Sequence, residues 1–279
     1  MVKQIIPANY REALSLLNEE PYQIIAGGTD LMIQKRNPAG LPPKFEKNLL
    51  YLFNLKELKV VIKEPSQIRI GSMTSLEDLL DHPDTPLLLK QVIAEMASPA
   101  VRNVATLSGN IGNASPAGDS LVALYLLDAM VVLESIGGIR RLPIEEIIVG
   151  PRKTVIRANE LIREIIIPDQ NFTKVQWTKV GGRRADAISK VSFAGAVMIK
   201  NQTIQDFRIA LGAVYQTVIR NRSIEASIHG QTVSALKAEA ETILAQYEPL
   251  IRPIDDQRSN KDYRKQVALN MIKDFIMKI

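Results

Sequence analysis

Cysteine is missing from this 279-residue chain. Its absence excludes disulfides, thiolate zinc sites and any iron–sulfur cluster ligated by the chain itself, since each needs sulfur ligands. If electrons pass through a cluster, another chain holds it. Histidine is nearly absent: His82 and His229 lie far apart, neither has a partner at metal-ligand spacing, and both read as surface or packing residues. No metal site is expected, and no Ser-His-Asp set can be assembled. No stretch approaches 18 uninterrupted apolar residues, and Met1 to Ile6 lacks the apolar segment and small-residue cleavage site of a leader. The chain is therefore expected to be cytoplasmic, with no transmembrane segment. The common nucleotide signatures are also missing, both G-x-x-x-x-G-K-[ST] and G-x-G-x-x-G with a distal acid, which argues against a P-loop or Rossmann site. No internal repeat, heptad array or low-complexity tract is present. The formal charge is +5, but Lys and Arg are interleaved with Asp and Glu and no nucleic-acid-binding signature accompanies them, so no nucleic-acid partner is expected.

What is present is ordinary globular material. Hydrophobic residues make up 46% and charged residues 23% of the chain, enough to bury real cores, and the length predicts two or three lobes. Tyr22 to Ile25 is a β-prone run broken by Ala26-Gly27-Gly28, after which Thr29 or Asp30 can cap a helix through Leu31, Met32 and Ile33. Asn48 to Leu55 and Gln67 to Gly71 read as strands, and Thr74-Ser75-Leu76-Glu77 as a Thr-x-x-Glu capping box opening a helix. Another helix is predicted from Pro86. Thr106 to Asp119, TLSGNIGNASPAGD, reads as a loop before a helix through Val122 to Leu127. Met130 to Glu134 and Leu161 to Ile167 are predicted strands, with a lobe boundary near Pro168 to Thr173. Beyond it Val175 to Val180, Ser189 to Ile199 and Thr203 to Val214 are β-rich, while Val233 to Tyr247 and Ser259 to Ile279 are helical. In the last helix Tyr263, Val267, Met271 and Phe275 form a stripe expected to face the core.

Chemistry is expected where the chain gives up side chains, at Ala26-Gly27-Gly28-Thr29-Asp30 and at Ser108-Gly109-Asn110-Ile111-Gly112-Asn113. Glycine permits close approach and positive φ, so successive amides can converge on phosphate oxygens. The hydroxyls of Thr29, Thr106 and Ser108 offer further donors. Neither segment contains Lys or Arg, so an anion there would be held mostly by amides and hydroxyls. Taken alone, the Ala26-Gly27-Gly28 segment is more readily a tight turn; it is the pair of segments that argues for a site.

AGGTDL at Ala26 to Leu31 and TLSGNIGNASPAGD at Thr106 to Asp119 resemble the FAD-binding subunit of the molybdenum hydroxylase family. That family includes the flavoproteins of xanthine dehydrogenase and aerobic carbon monoxide dehydrogenase. The resemblance continues through TKVGGRRADAISKVS at Thr178 to Ser192, ALGAV at Ala210 to Val214 and PIDDQRSNKDYR at Pro253 to Arg264, so it covers nearly the whole chain. It implies an α+β protein. Residues 1–170 would form a PCMH-type FAD-binding domain of two α/β subdomains, approximately 1–55 and 56–170. Residues 171–279 would form a C-terminal flavoprotein domain with a β-sheet and helices.

By the same resemblance Ile25, Ala26, Gly27, Gly28 and Thr29 wrap the FAD pyrophosphate, and Ala105, Thr106, Gly109, Asn110 and Gly112 border the diphosphate and flavin. Asp119 matches an acid that binds the sugar or adenosine part; on its own it is equally a helix N-cap. Ile162 matches an apolar cofactor contact, and Asp186 and Ile188 lie in a segment bordering the isoalloxazine. Lys179 matches a lysine whose cation stabilises the reduced ring; on composition alone it is a solvated strand lysine. Trp177 reads as strand packing. Many relatives carry glycine where this chain has Ser108, and some an aromatic ring where it has Ala187. One branch holds an extra iron–sulfur cluster in this subunit, which the lack of cysteine rules out here. The implied partners are a molybdopterin-binding large subunit, a small subunit with [2Fe–2S] clusters, and an acceptor such as NAD; Arg183-Arg184 could attract such an anionic acceptor, though charged loop residues are usually just solvated. The alternatives are a self-sufficient FAD oxidoreductase and a non-catalytic scaffold that has lost FAD.

Overall fold

The protein is described here from a computed structural model covering residues 2–279; of the opening stretch considered above, Met1 lies outside the described residues. From the N-terminus the elements are β1 (Gln4–Ile5), α1 (Tyr10–Glu19), β2 (Gln23–Ile25), α2 (Leu31–Gln34), β3 (Leu49–Tyr51), β4 (Val61–Glu64), β5 (Gln67–Gly71), α3 (Leu76–Asp81) and α4 (Leu87–Ala94). There follow α5 (Pro99–Arg102), α6 (Leu107–Asn113), α7 (Asp119–Leu126), β6 (Met130–Ser135), β7 (Gly138–Pro143), α8 (Ile144–Ile147), β8 (Ile148–Gly150), β9 (Lys153–Thr154) and β10 (Leu161–Pro168). The last third holds β11 (Lys174–Val180), β12 (Val191–Lys200), β13 (Thr203–Gly212), α9 (Arg222–Ile228), α10 (Val233–Ala238), α11 (Ala240–Tyr247) and α12 (Lys261–Lys278).

These elements gather into two compact units that interleave along the chain. Of the described residues, the first comprises 2–85, Ala97–Ala114 and Ala129–Pro168; the second comprises Pro86–Met96, Ser115–Asp128 and Asp169–Ile279. In the first unit a small parallel sheet has the order β1-β3-β2, with α1 connecting β1 to β2. Asn9 caps α1 through a bond from Glu12 N, and Ala13, Leu14 and Leu17 bury its apolar face in a core with Leu50, Leu52 and Leu55. The unit's second sheet is antiparallel, of order β4-β5-β10-β6-β7. Its central strand β10 is buried along most of its length, with Arg163 and Glu164 interrupting an otherwise aliphatic run. A bulge between Ile162 and Glu164 interrupts its pairing with β6.

The second unit is built on the antiparallel sheet β11-β12-β13. Every residue of α7 is buried, and the helix packs on β12, β13 and α4. The unit's core includes Phe193, Phe207 and Phe275, whose rings lie 5.6 Å apart in two adjoining pairs. The mixture of helices and sheets, ending in a C-terminal sheet with helices, is the α+β class expected from the sequence.

Three local expectations are corrected. The capping box at α3 is Ser75-x-x-Asp78, one residue later than Thr74-x-x-Glu77: Ser75 Oγ accepts from Asp78 N at 3.0 Å, while Thr74 Oγ1 donates to the Val60 carbonyl. Most of the predicted loop after Thr106 is helix α6, capped by Thr106 Oγ1 on Gly109 N. On α12 the buried face runs through Arg264, Ala268, Met271, Ile272, Phe275 and Ile276, whereas Tyr263 is exposed. Positions spaced by four advance about 40° per step around a helix of 3.6 residues per turn, so the stripe turns away from the core at its N-terminal end.

Candidate functional site

The turn after β2 and the segment before α6 meet in the first unit. A Cβ placed on Gly27 would lie 1.9 Å from the Val104 carbonyl oxygen, so only glycine permits this approach, and Gly28 follows at φ +70°. Side chains lace the two segments further: Gln34 Nε2 donates to Asn113 Oδ1, and Asn113 Nδ2 to Asp30 Oδ2, each at 2.8 Å. The capping box of α3 adds a third element, since Leu76 N donates to the Ala105 carbonyl at 2.8 Å.

Between them lies a cleft of about 530 Å³, within the range of small-molecule sites. Its lining contains Ile25, Ala26, Gly27, Gly28 and Thr29 from the first segment, and Ala105, Thr106, Gly109, Asn110 and Gly112 from the second. Ile162, beside the bulge in β10, joins them. Eleven of the residues singled out from sequence are thus brought to one place. Tyr22 also lines the cleft; burial, and then a hydrogen bond to Glu20, push its hydroxyl up to about 12.

The hydroxyls are less free than the sequence implies. Ser108 Oγ donates to the Ser72 carbonyl. Because that uses the Ser108 proton, the 3.0 Å contact between Thr106 Oγ1 and Ser108 Oγ must carry the Thr106 proton. Neither hydroxyl retains a donor for an anion. The cleft instead holds cations that the two segments lack: Lys35, Lys47, Arg152 and Arg157. They come from four separate places in the chain, and nothing in their local sequence marks them as a group. Of the lining carboxylates, Glu160 is held by both nitrogens of an Arg140 fork, at 2.7 and 2.8 Å, and accepts from Arg157 N. Burial alone would raise the Glu160 carboxyl, but Arg140 and the Arg157 amide outweigh it and leave it below the usual carboxylate range.

The remaining four predicted residues belong to the second unit. Lys179 Nζ lies 2.8 Å from Asp119 Oδ2, with side chains 8% and 6% exposed, and also donates to the Glu95 carbonyl at 2.9 Å. Ser189 Oγ donates to Asp119 Oδ1 at 2.6 Å. Lys179 is therefore a buried, paired cation rather than a solvated strand lysine, and both Asp119 oxygens are engaged. Trp177 Nε1 donates to Glu95 Oε2. Asp186, at φ +50°, and Ile188, 61% exposed, lie in an exposed loop where Arg183 donates to the carbonyls of Ala185 and Asp186.

Residues 1–170 match the family described as the FAD binding domain in molybdopterin dehydrogenase, and residues 177–279 match the CO dehydrogenase flavoprotein C-terminal domain. The chain belongs to the FAD-binding subunits of the molybdenum hydroxylases. Among its relatives, the putative xanthine dehydrogenase FAD-binding subunit of Escherichia coli K12 is 28% identical over 278 residues, 96% of this chain and 92% of that one. The nicotinate dehydrogenase FAD-subunit of Eubacterium barkeri is 32% identical over 206 residues, covering 69% of this chain and 67% of its own. The fold superposes with a TM-score of 0.84 and 27% identity on carbon monoxide dehydrogenase from Hydrogenophaga pseudoflava lacking the Mo-pyranopterin moiety, covering 98% of this chain and 95% of that one.

As a flavoprotein subunit of this oxidoreductase family, the chain should offer bare backbone to FAD. Gly112 provides the test of fit: a Cβ added there meets nothing within 4 Å, so this cleft-lining residue leaves space where a side chain would otherwise stand. The cationic lining suits a diphosphate, and Ile25, Leu52, Ile156 and Ile162 supply apolar surface. Among the described residues no helix is long and apolar enough to cross a membrane.

Proposed function

We propose that this chain is the electron-transfer subunit of a multi-chain molybdenum hydroxylase. It takes reducing equivalents from [2Fe–2S] clusters on a small partner, fed by a molybdopterin-binding large subunit, and delivers them to NAD or another acceptor in the cytoplasm. The observation that carries this reading is the meeting of Gly27 with Val104–Ala105, which closes two glycine-bearing segments around one cleft. Bound FAD would supply the reversible electron-carrying chemistry that the side chains of this protein lack.

The protein's own residues bind and orient. The turn at Ile25 to Thr29 and the segment Ala105 to Gly112 hold the cofactor's diphosphate side, and Ile162 packs against it. Lys179 is the candidate for electrostatic tuning of the flavin and Asp119 for binding the sugar or adenosine part, with Asp186 and Ile188 bordering the isoalloxazine in the same scheme. Residues 1–170 act as the FAD-binding domain and 171–279 as the flavoprotein C-terminal domain.

The test is a titration of the purified chain with FAD. A saturable change in flavin absorbance and fluorescence is expected, with co-purification from the native host yielding molybdenum and a cysteine-rich partner. A folded chain that takes up no FAD would sink the assignment. Turnover of an organic substrate by the isolated chain would point to a self-sufficient oxidoreductase instead.

A further inference from the structure

The hairpin joining β8 to β9 pairs Gly150 with Lys153, leaving Pro151 and Arg152 at its tip. Arg152 has φ +58°, a left-handed conformation that side chains other than Gly, Asn and Asp rarely adopt. Proline followed by a left-handed residue is the order of a type II turn, whose second central position takes glycine without strain. Here the position carries an arginine. Its amide donates at 2.9 Å to the carbonyl of Ala114, the left-handed cap of α6 at φ +46°. Two strained residues joined by one hydrogen bond thus fix the hairpin tip beside the end of the helix whose Gly112 and Asn113 line the cleft.

Arg152 lines that cleft as an exposed residue, and among the described residues no hydrogen bond or ion pair engages its guanidinium. The nearby carboxylates are already occupied: Glu160 is tied to Arg140, and Asp30 accepts from Asn113. The protons of Thr106 and Ser108 are committed within the protein. With those protons spent, an anion in the cleft draws on backbone amides, the Thr29 hydroxyl and the cations Lys35, Lys47, Arg152 and Arg157. Of these, Arg152 carries its five guanidinium N–H groups, a fork that suits phosphate oxygens, on the hairpin tip fixed to the end of α6.

We propose that Arg152 is the principal anion-binding side chain of the cleft and grips the diphosphate of the bound dinucleotide. This rests on the reading that the cleft holds FAD. The left-handed backbone at Arg152 gives the assignment an unusual signature: glycine should relax the turn and weaken binding together.

The experiment compares wild type with Arg152→Gly and Arg152→Lys, measuring thermal midpoint, FAD affinity across NaCl concentrations, and affinity for riboflavin, which has no phosphate. For Arg152→Gly the thermal midpoint should equal or exceed that of wild type. Its FAD affinity should fall at least about tenfold with a shallower salt dependence, as expected for loss of a charge-assisted phosphate contact. Riboflavin binding should be unchanged, and Arg152→Lys should lie between, keeping charge without the fork. Wild-type FAD affinity in Arg152→Gly would overturn the proposal while leaving the cofactor reading intact. So would equal losses for FAD and riboflavin with a lowered thermal midpoint, which would mark a purely structural residue. A wild-type chain that binds no FAD would overturn the cofactor reading and the proposal with it.

Discussion

A methyl group on residue 27 would sit inside the van der Waals radius of the Val104 carbonyl, whereas one on residue 112 would meet only open space. The two glycines therefore make opposite predictions. Gly27→Ala must force the segments apart, at a cost of about 1–3 kcal/mol or more for overpacking, and should abolish FAD uptake. Gly112→Ala, within helix α6, should raise stability by roughly 0.5–1 kcal/mol while weakening FAD binding, because its methyl group takes space in the cleft. Chemical denaturation paired with flavin titration separates the two; a Gly112→Ala protein that binds FAD as well as wild type would place the cofactor away from that helix. Both glycines are legible in the sequence, because a residue without a side chain announces itself. Their surroundings are not. Val104 is remote from Gly27 along the chain, and the cations Lys35, Lys47, Arg152 and Arg157 become one group only once three loops and a hairpin have folded. The same holds for Lys179, whose buried pairing with Asp119 joins a strand to a helix some 60 residues away.

Among the elements, those with strong periodicity or clear turn residues were readable, including β5, β6, β10, α4 and the three strands of the last sheet. The misreadings have common causes. In α6 two glycines, a serine and two asparagines favour a turn by propensity, yet the Thr106 cap and burial of Leu107 and Ile111 suffice to wind the segment. At α3 two hydroxyl residues stand side by side, and only the backbone decides which one caps. Ser75→Ala should accordingly cost about 1 kcal/mol, measured by denaturant unfolding. Since the same helix start holds the Ala105 carbonyl, Ser75→Ala should also loosen FAD binding modestly. Sequence gives no sign of the cluster at Asp128, where Arg208, Arg220 and Arg222 each approach one carboxylate at 2.6 Å. Burial would raise that carboxyl, but the guanidiniums, Arg220 foremost, hold it below its usual range. It ties β13 and the start of α9 to the end of α7, a long-range arrangement that no local pattern encodes.

For the molecule as a whole, these paired carboxylates set the response to acid. Glu160 in the first unit and Asp128 and Asp256 in the second all have lowered values when folded, while burial raises Glu225 against the pull of Arg220. A lowered carboxyl binds its proton less readily in the folded chain than in the unfolded one. Its stabilisation is complete above the ordinary value, 4.5 for Glu160, and drains away as pH falls through the folded value. Glu225 works in the opposite sense but stands alone against these and against Glu20, Glu64 and Asp274, which are lowered as well. Stability should therefore decline below about pH 4.5. Glu160→Gln should be less stable than wild type at pH 7, by about 1–3 kcal/mol for a lost charged hydrogen bond, and should show a flatter decline towards pH 3. Parallel curves for the two proteins would show that Glu160 plays no part in the acid response.

The interleaving of the two units also bears on how the polypeptide can be made. Helix α7 is apolar enough to be wholly buried, yet the sheet that receives it is completed only at Gly212. On a ribosome elongating at about 5–20 residues per second, the nascent chain must carry this sticky helix uncovered for several seconds. Holdase chaperones have their natural target there. A gene fragment stopped at codon 170 would extend that exposure indefinitely, and its product should collect in inclusion bodies.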